Sequence, residues 1–210
     1  MPKELTDEEI QTFRERLCDS FKRLFAEKGY AAVTMRAMAE DIGCSPMTPY
    51  RYFKDKDEIF AAARAAGFRK LSKLITDATK GISDVAEKTQ LASVTYINFA
   101  LREPELYRLM YTNLQPDTTA YPELEEEVAR AREVLTNLAE EVPQVRDSLM
   151  RPAAVAQTFW AALHGIIQIH LTNGFDESTS FDEIVAILMS LLTEGGRALF
   201  HIPKSDEEES

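Results

Sequence analysis

Little in this sequence suits a catalyst, a secreted scaffold or a membrane protein. Two cysteines among 210 residues, Cys18 and Cys44, fall far apart in helical patterns and read as reduced core thiols of a cytoplasmic protein. The histidines are His164, His170 and His201. The first two do not share a helix face, and no cysteine or carboxylate spacing completes a metal site. There is no Gly-rich phosphate loop and no serine-nucleophile motif, so neither an enzyme nor a cofactor or metal is expected. No apolar run approaches the roughly twenty residues that cross a bilayer. The opening residues are acidic and polar, unlike a signal peptide. Strand-like alternation and internal repeats are missing as well.

What the chain does contain is helical periodicity throughout. It is 45% hydrophobic and 28% charged, ordinary for a folded protein. The first helix opens at Thr6, with Glu9 completing a capping box. Ile10, Phe13, Leu17, Phe21, Leu24 and Phe25 form its buried face, and Gly29 is expected as a left-handed C-cap. A long helix starts at Asp55 with Glu58 and carries Ile59, Phe60, Ala63, Gly67, Leu71, Leu74 and Ile75. Further helices are expected over about Asp84–Leu101, from Pro104, over Pro122–Glu141 and Pro152–Thr172, and from Ser180 to about Phe200. Gln115–Thr119 is the best loop candidate, and Pro143 breaks the chain. Ser205–Ser210 is too polar to order.

The net charge of −11 argues at first against a nucleic-acid partner. Its distribution changes that: residues 1–70 hold 13 Lys and Arg against 12 Asp and Glu, and the remainder holds 11 against 23. The acid therefore sits away from the N-terminal part, and charges beyond about 10 Å are largely screened.

Within that part, Val33–Lys56 fits two short helices around a tight turn. Thr34 can cap the first, whose inward face is Met35, Met38, Ala39 and Ile42. Gly43 suits the turn. Ser45 or Thr48 can cap the second, with Pro46 or Pro49 at its first position. This is a helix-turn-helix pattern. Its second element carries Ser45, Met47, Thr48, Tyr50, Arg51 and Tyr52, types that bond phosphates and base edges or touch a thymine methyl. An ordinary helical hairpin with a tyrosine-rich surface fits the composition equally.

The stretch resembles the DNA-binding domain of TetR (tetracycline-repressor-like) bacterial transcription regulators. The resemblance rests on Leu24–Tyr30, Val33–Arg36, Ala39, Ile42-Gly43, Ser45-Pro46, Thr48 and Tyr50–Lys56. One departure is Pro49, where the family usually has an apolar residue with an N–H to give. Proline removes the donor for the Ser45 carbonyl. The resemblance implies that Thr34, Arg36, Ser45, Thr48, Tyr50, Tyr52 and Lys56 fix register on phosphates and that Met47, Thr48 and Arg51 read bases.

In the last two helices apolar residues spread over most of the circumference, so each must be covered on several sides. Phe159, Ile166, Ile169, Ile184, Leu188 and Leu191 are the expected homodimer interface; a deeply buried intramolecular pair is the alternative. Trp160–Gly165 and Leu101–Met110 are similar to a branch of TetR-like regulators with a Trp/His/Gly signature. Phe99, Tyr107, Met110, Tyr111, Trp160 and His164 are the candidates for a ligand pocket. The expected architecture is all-α: a helix-turn-helix domain over residues 1–56, a larger ligand-binding and dimerisation domain over 57–203, and a tail over 204–210. The expected function is that of a homodimeric repressor that a small, largely apolar effector releases from a double-stranded operator. The competing reading is a helical ligand-binding or interaction module without DNA binding.

Overall fold

A computed structural model describes residues 6–112, 118–147, 149–176 and 178–191. Among them are nine α-helices, three 3₁₀ turns and no strand, so the chain is all-α as its periodicity predicts. The expected tail and most of the Gln115–Thr119 loop lie outside the described residues. So does the expected continuation of the last helix to Phe200. The structure divides into two compact units, one of Met1–Lys73 with Phe99–Ala131 and one of Leu74–Asn98 with Arg132–Ser210.

The first unit opens with α1, Asp7–Lys28. Its capping box forms as read: Thr6 Oγ1 accepts from the Glu9 N–H, and Glu9 accepts from the Thr6 N–H at 2.9 Å. Leu17, Phe21 and Leu24 are buried. Gly29 closes α1 with the positive φ expected of a glycine C-cap, 74°, but its ψ of 170° lies outside the left-handed helical well. A 3₁₀ turn, Tyr30–Ala32, then brings Tyr30 to the stacked Phe21 and Phe60 rings, whose centroids are 5.3 Å apart.

The second helix, α2, is Met35–Asp41. Thr34 caps it by accepting from the Ala37 N–H at 3.1 Å. Met35, Met38 and Ala39 are buried. It ends in a Schellman motif: the Cys44 N–H reaches the Ala39 carbonyl at 2.9 Å and the Gly43 N–H the Glu40 carbonyl at 3.2 Å. Gly43 has φ 73°, the backbone that makes glycine the default there.

The long helix α3 is Lys56–Thr79. Asp55 accepts from the Glu58 N–H, while the Glu58 carboxylate accepts from the Lys54 N–H. The expected box is thus half made, with its return bond shifted by one residue. Within the first unit α3 packs on α5, Pro104–Met110. Gly67 makes room for Met110: a Cβ there would stand 2.7 Å from its Cγ and Sδ. Beside it Arg64, 2% exposed, donates from Nε and Nη2 to the Met110 carbonyl at 3.1 and 2.9 Å. The start of α6, Pro122–Glu141, is tied to α3 by Arg69, which bonds Glu123 and Glu127.

The second unit contains most of α4, Val85–Arg102, the end of α6, the short α7, Pro143–Arg146, α8, Pro152–Leu171, and α9, Phe181–Ser190. Asp84 caps α4 by accepting from the Glu87 N–H at 3.0 Å, and Ser180 caps α9 by accepting from Glu183. Ala156, Leu163 and Ile167 form the buried stripe of α8, whereas no residue of α9 is buried. Leu74 and Val94, expected on apolar faces, are exposed. No described helix is long and apolar enough to cross a membrane.

Candidate nucleic-acid interface

The second element of the helix-turn-helix is not an α-helix. Pro49–Arg51 is a single 3₁₀ turn, and the cause lies in Pro49. In an α-helix the Ser45 carbonyl would accept from the N–H of residue 49, which proline lacks. It accepts instead from the Thr48 N–H at 2.8 Å, three residues on. The Thr48 carbonyl likewise takes the Arg51 N–H, and the Pro49 carbonyl takes those of Tyr52 and Phe53 at 3.0 and 3.1 Å. Thr48 itself lies in the right-handed helical region and makes no side-chain cap. Ser45 Oγ accepts from the Met47 N–H at 3.4 Å.

Side chains from α1 hold this turn. Arg14 Nη1 donates to the Tyr52 carbonyl at 2.6 Å, and its guanidinium lies 4.0 Å over the Phe53 ring. Tyr52 stacks on Phe13 at 4.4 Å. Arg16 donates to the Ile42 carbonyl at the end of α2. Reading the sequence missed Arg14 and Arg16 as positioning residues. Arg14 precedes Leu17 and Phe21 at helical spacing, so its place at the edge of the buried face was open to inference.

The residues expected to meet DNA separate by what they do in the fold. Arg36, Ser45 and Arg51 are exposed, as are Met47 at 68% and Tyr50 at 52%. Arg36 and Arg51 engage no partner among the described residues. Thr34 is exposed at the start of α2 with its hydroxyl committed to the cap. Thr48, Tyr52 and Lys56 are half-buried. Lys56 has its ammonium 4.1 Å over the Tyr30 ring, within reach of the Tyr30 carbonyl. Phe53 is buried and Ile42 half-buried.

Two carboxylates nearby, Asp41 and Asp57, are occupied. Asp41 accepts from the buried Ser20 hydroxyl and pairs with Arg23, which holds its carboxyl below the usual range. Tyr30 donates to Asp57. Burial first, and then this bond, push the phenol upward, so it stays protonated. The Cys18 thiol is pushed up to about 12 by burial.

The ligand-pocket candidates belong to both units. In the first, Phe99, Tyr107 and Met110 are buried and Tyr111 is half-buried, edge-on to Tyr107 at 4.9 Å. In the second, Trp160 stacks on His164 at 5.1 Å. Burial lowers the His164 pKa, which favours the neutral ring. Trp160 also lines an apolar cavity of about 70 Å³ with Tyr96, Leu138, Phe159 and Leu163 among its walls. Gly165 has open space where a Cβ would stand. Of the dimer candidates, Phe159, Ile166, Ile184 and Leu188 are half-buried, while Ile169 and Leu191 are exposed. No group of His, Cys, Asp and Glu among the described residues could hold a metal ion.

Comparison with known proteins agrees with this geometry. Residues 19–63 match the family described as bacterial regulatory proteins of the tetR family, and residues 90–192 match a tetracyclin repressor-like C-terminal domain. Among solved structures, a protein of unknown function from Rhodococcus sp. RHA1 is 21% identical with a TM-score of 0.75, covering 93% of this chain and 98% of its own. A TetR family transcription regulator from Marinobacter aquaeolei VT8 is 23% identical with a TM-score of 0.66, covering 90% and 97%. The fatty acid degradation regulator FadR from Bacillus halodurans is 16% identical with a TM-score of 0.71, covering 90% and 96%. At such identities the structures share the fold, and the two sequence matches supply the family. With its helix-turn-helix inside the first of these matches, the chain belongs to the TetR family of DNA-binding transcription regulators.

Proposed function

We propose that this regulator is a cytoplasmic homodimeric repressor, held on a pseudo-palindromic operator and released by a small, largely apolar ligand. Residues 1–56 act as the reading head and 57–203 as the ligand-binding and dimerisation body. The observation that carries this reading is the surface of α8 and α9. Ile169, Ile187 and Leu191 are 42%, 53% and 64% exposed, on helices that carry few charges. Apolar faces of this kind mark association surfaces, and the open space at Gly165 suits a closely approaching helix. A second copy would complete the cover and set two reading turns against successive major grooves.

Arg51, Met47 and Thr48 are the proposed base readers. Thr34, Arg36, Ser45, Tyr50, Tyr52 and Lys56 set register, with Thr34, Arg36, Ser45 and Tyr50 exposed. The apolar cavity beside Trp160 supports an effector site in the body. His164 keeps a proposed part in it, and Phe99, Tyr107, Met110 and Tyr111 are proposed as ligand contacts within the first unit. For release, the ligand must prefer the conformation with low operator affinity.

Sedimentation at micromolar concentration, paired with a salt-titrated mobility shift on DNA flanking the coding sequence, tests this reading. A dimer whose log affinity falls steeply with log salt is expected. A monomer, or a slope near zero, refutes it.

A further inference from the structure

The second element of the helix-turn-helix is poor in groups that read bases through paired hydrogen bonds. Between Gly43 and Phe53 the sequence has no Asn, Gln, Asp, Glu or Lys, and Arg51 is its one charged side chain. Bidentate recognition takes an amide for adenine and a guanidinium or ammonium for guanine, so this element can make one such contact. Its hydroxyls are restricted as well. Thr48 and Tyr52 are half-buried, Tyr52 is stacked on Phe13, and Ser45 Oγ accepts from the Met47 N–H.

What the element presents outward is largely apolar. Met47 is 68% exposed and Tyr50 52%, and Pro46 is exposed beside them. An isolated methionine on a surface needs no explanation. Here the backbone groups it with its neighbours. The Thr48 and Arg51 N–H groups donate to carbonyls three residues back, those of Ser45 and Thr48, and winding at three residues per turn places residues three apart on one side. Met47 and Tyr50 are such a pair. Pro49 between them is buried, so the exposed apolar surface of the turn ends at these side chains.

We infer that Met47 selects a thymine in each operator half-site by covering its 5-methyl group, the apolar group that thymine alone of the four bases presents in the major groove. An unbranched, adaptable thioether suits such a contact. A purine or a cytosine at that position leaves the same side chain against a polar edge. This rests on the reading of the Gly43–Phe53 stretch as the element that meets DNA and adds the base that it selects.

Operator duplexes are first enriched by the intact protein from a pool with a randomised central segment, at one fixed salt concentration. Each thymine of the enriched half-site is then replaced singly by deoxyuridine, which deletes the methyl and keeps the base pair. The expected result is one position per half-site at which the replacement weakens binding about fourfold, the loss of one buried methyl. At that position 5-methylcytosine should bind more tightly than cytosine by a similar factor, because its methyl occupies the same place in the groove. Met47→Ala should abolish both differences, which separates a direct contact from a change in duplex stiffness. Met47→Leu, which still covers the methyl, should keep them. Met47 lies outside the core, and circular dichroism verifies that both variants are folded. Enrichment of no duplex refutes operator binding and this inference with it. A half-site without thymine, affinity indifferent to deoxyuridine at every thymine, or differences that survive Met47→Ala overturn this inference alone and leave operator binding standing.

Discussion

Gly67→Ala puts the packing of α3 on α5 to a quantitative test. A methyl at Gly67 would stand 2.7 Å from Met110 Cγ and Sδ and 3.1 Å from Leu106 Cδ1. Met110 is fully buried, so it has little room to yield. Overpacking of this kind costs about 1–3 kcal/mol. Against it stands the gain of about 1 kcal/mol for alanine over glycine inside a helix. The net change is therefore between neutral and about 2 kcal/mol destabilising. Met110→Ala removes the obstructing atoms at its own cost of about 2–5 kcal/mol. In that background only the 3.1 Å approach to Leu106 Cδ1 opposes the helix gain, and Gly67→Ala should stabilise by up to about 1 kcal/mol. The double-mutant cycle should then show a coupling of about 1–3 kcal/mol. Urea unfolding followed by far-ultraviolet circular dichroism, at one fixed protein concentration, supplies the four stabilities. If Gly67→Ala stabilises equally in both backgrounds, Met110 does not press on α3 and the packing argument fails.

Three further outcomes follow from the site. Arg51→Ala should lower operator affinity by about 1–3 kcal/mol and relax discrimination at one base pair, with the oligomeric state in sedimentation unchanged; unaltered affinity in a mobility shift removes Arg51 from the reading set. Asp41 has a depressed carboxyl pKa, so its bonds to Ser20 and Arg23 stabilise the fold above the ordinary carboxylate value of about 3.9 and lose that effect as the pH falls through the folded value. The stability gap between wild type and Asp41→Asn should be full at neutral pH and close in acid, and a gap independent of pH contradicts the assignment. Cys18, with its thiol pushed up to about 12, should resist alkylation by iodoacetamide at pH 8 in the native protein and react once unfolded; mass spectrometry of the labelled peptide decides.

The parts of the fold legible in the sequence were those written in local chemistry. Thr6 with Glu9, Thr34 and Ser180 announced their helix starts because a cap needs only a side-chain oxygen and a backbone N–H nearby in the chain. The Gly43 turn was legible because its carbonyl partners lie within five residues. What escaped depends on distant partners. Arg64 reads as a surface cation in an amphipathic helix, yet the Met110 carbonyl draws it into the core. Leu74 and Val94 keep helical spacing with apolar faces yet stay exposed, since periodicity fixes which residues share a face and not how wide the covered stripe is. The reading element stood between these cases. The loss of a donor at Pro49 was visible in the sequence, but whether an α-turn survives depended on Thr48 taking the Ser45 carbonyl instead. The residues named for ligand and dimer contacts were chosen by type, and type does not say which cavity wall a ring faces.

The turn proposed to read DNA carries prolines at positions 46 and 49, each with one backbone torsion fixed in advance. It is also clamped at its far end by Arg14 and the Phe13–Tyr52 stack. Such a segment has little disorder left to surrender when it docks. A short element with few side chains can then bind firmly, because the loss of freedom that weakens flexible recognition loops was already taken when the chain folded.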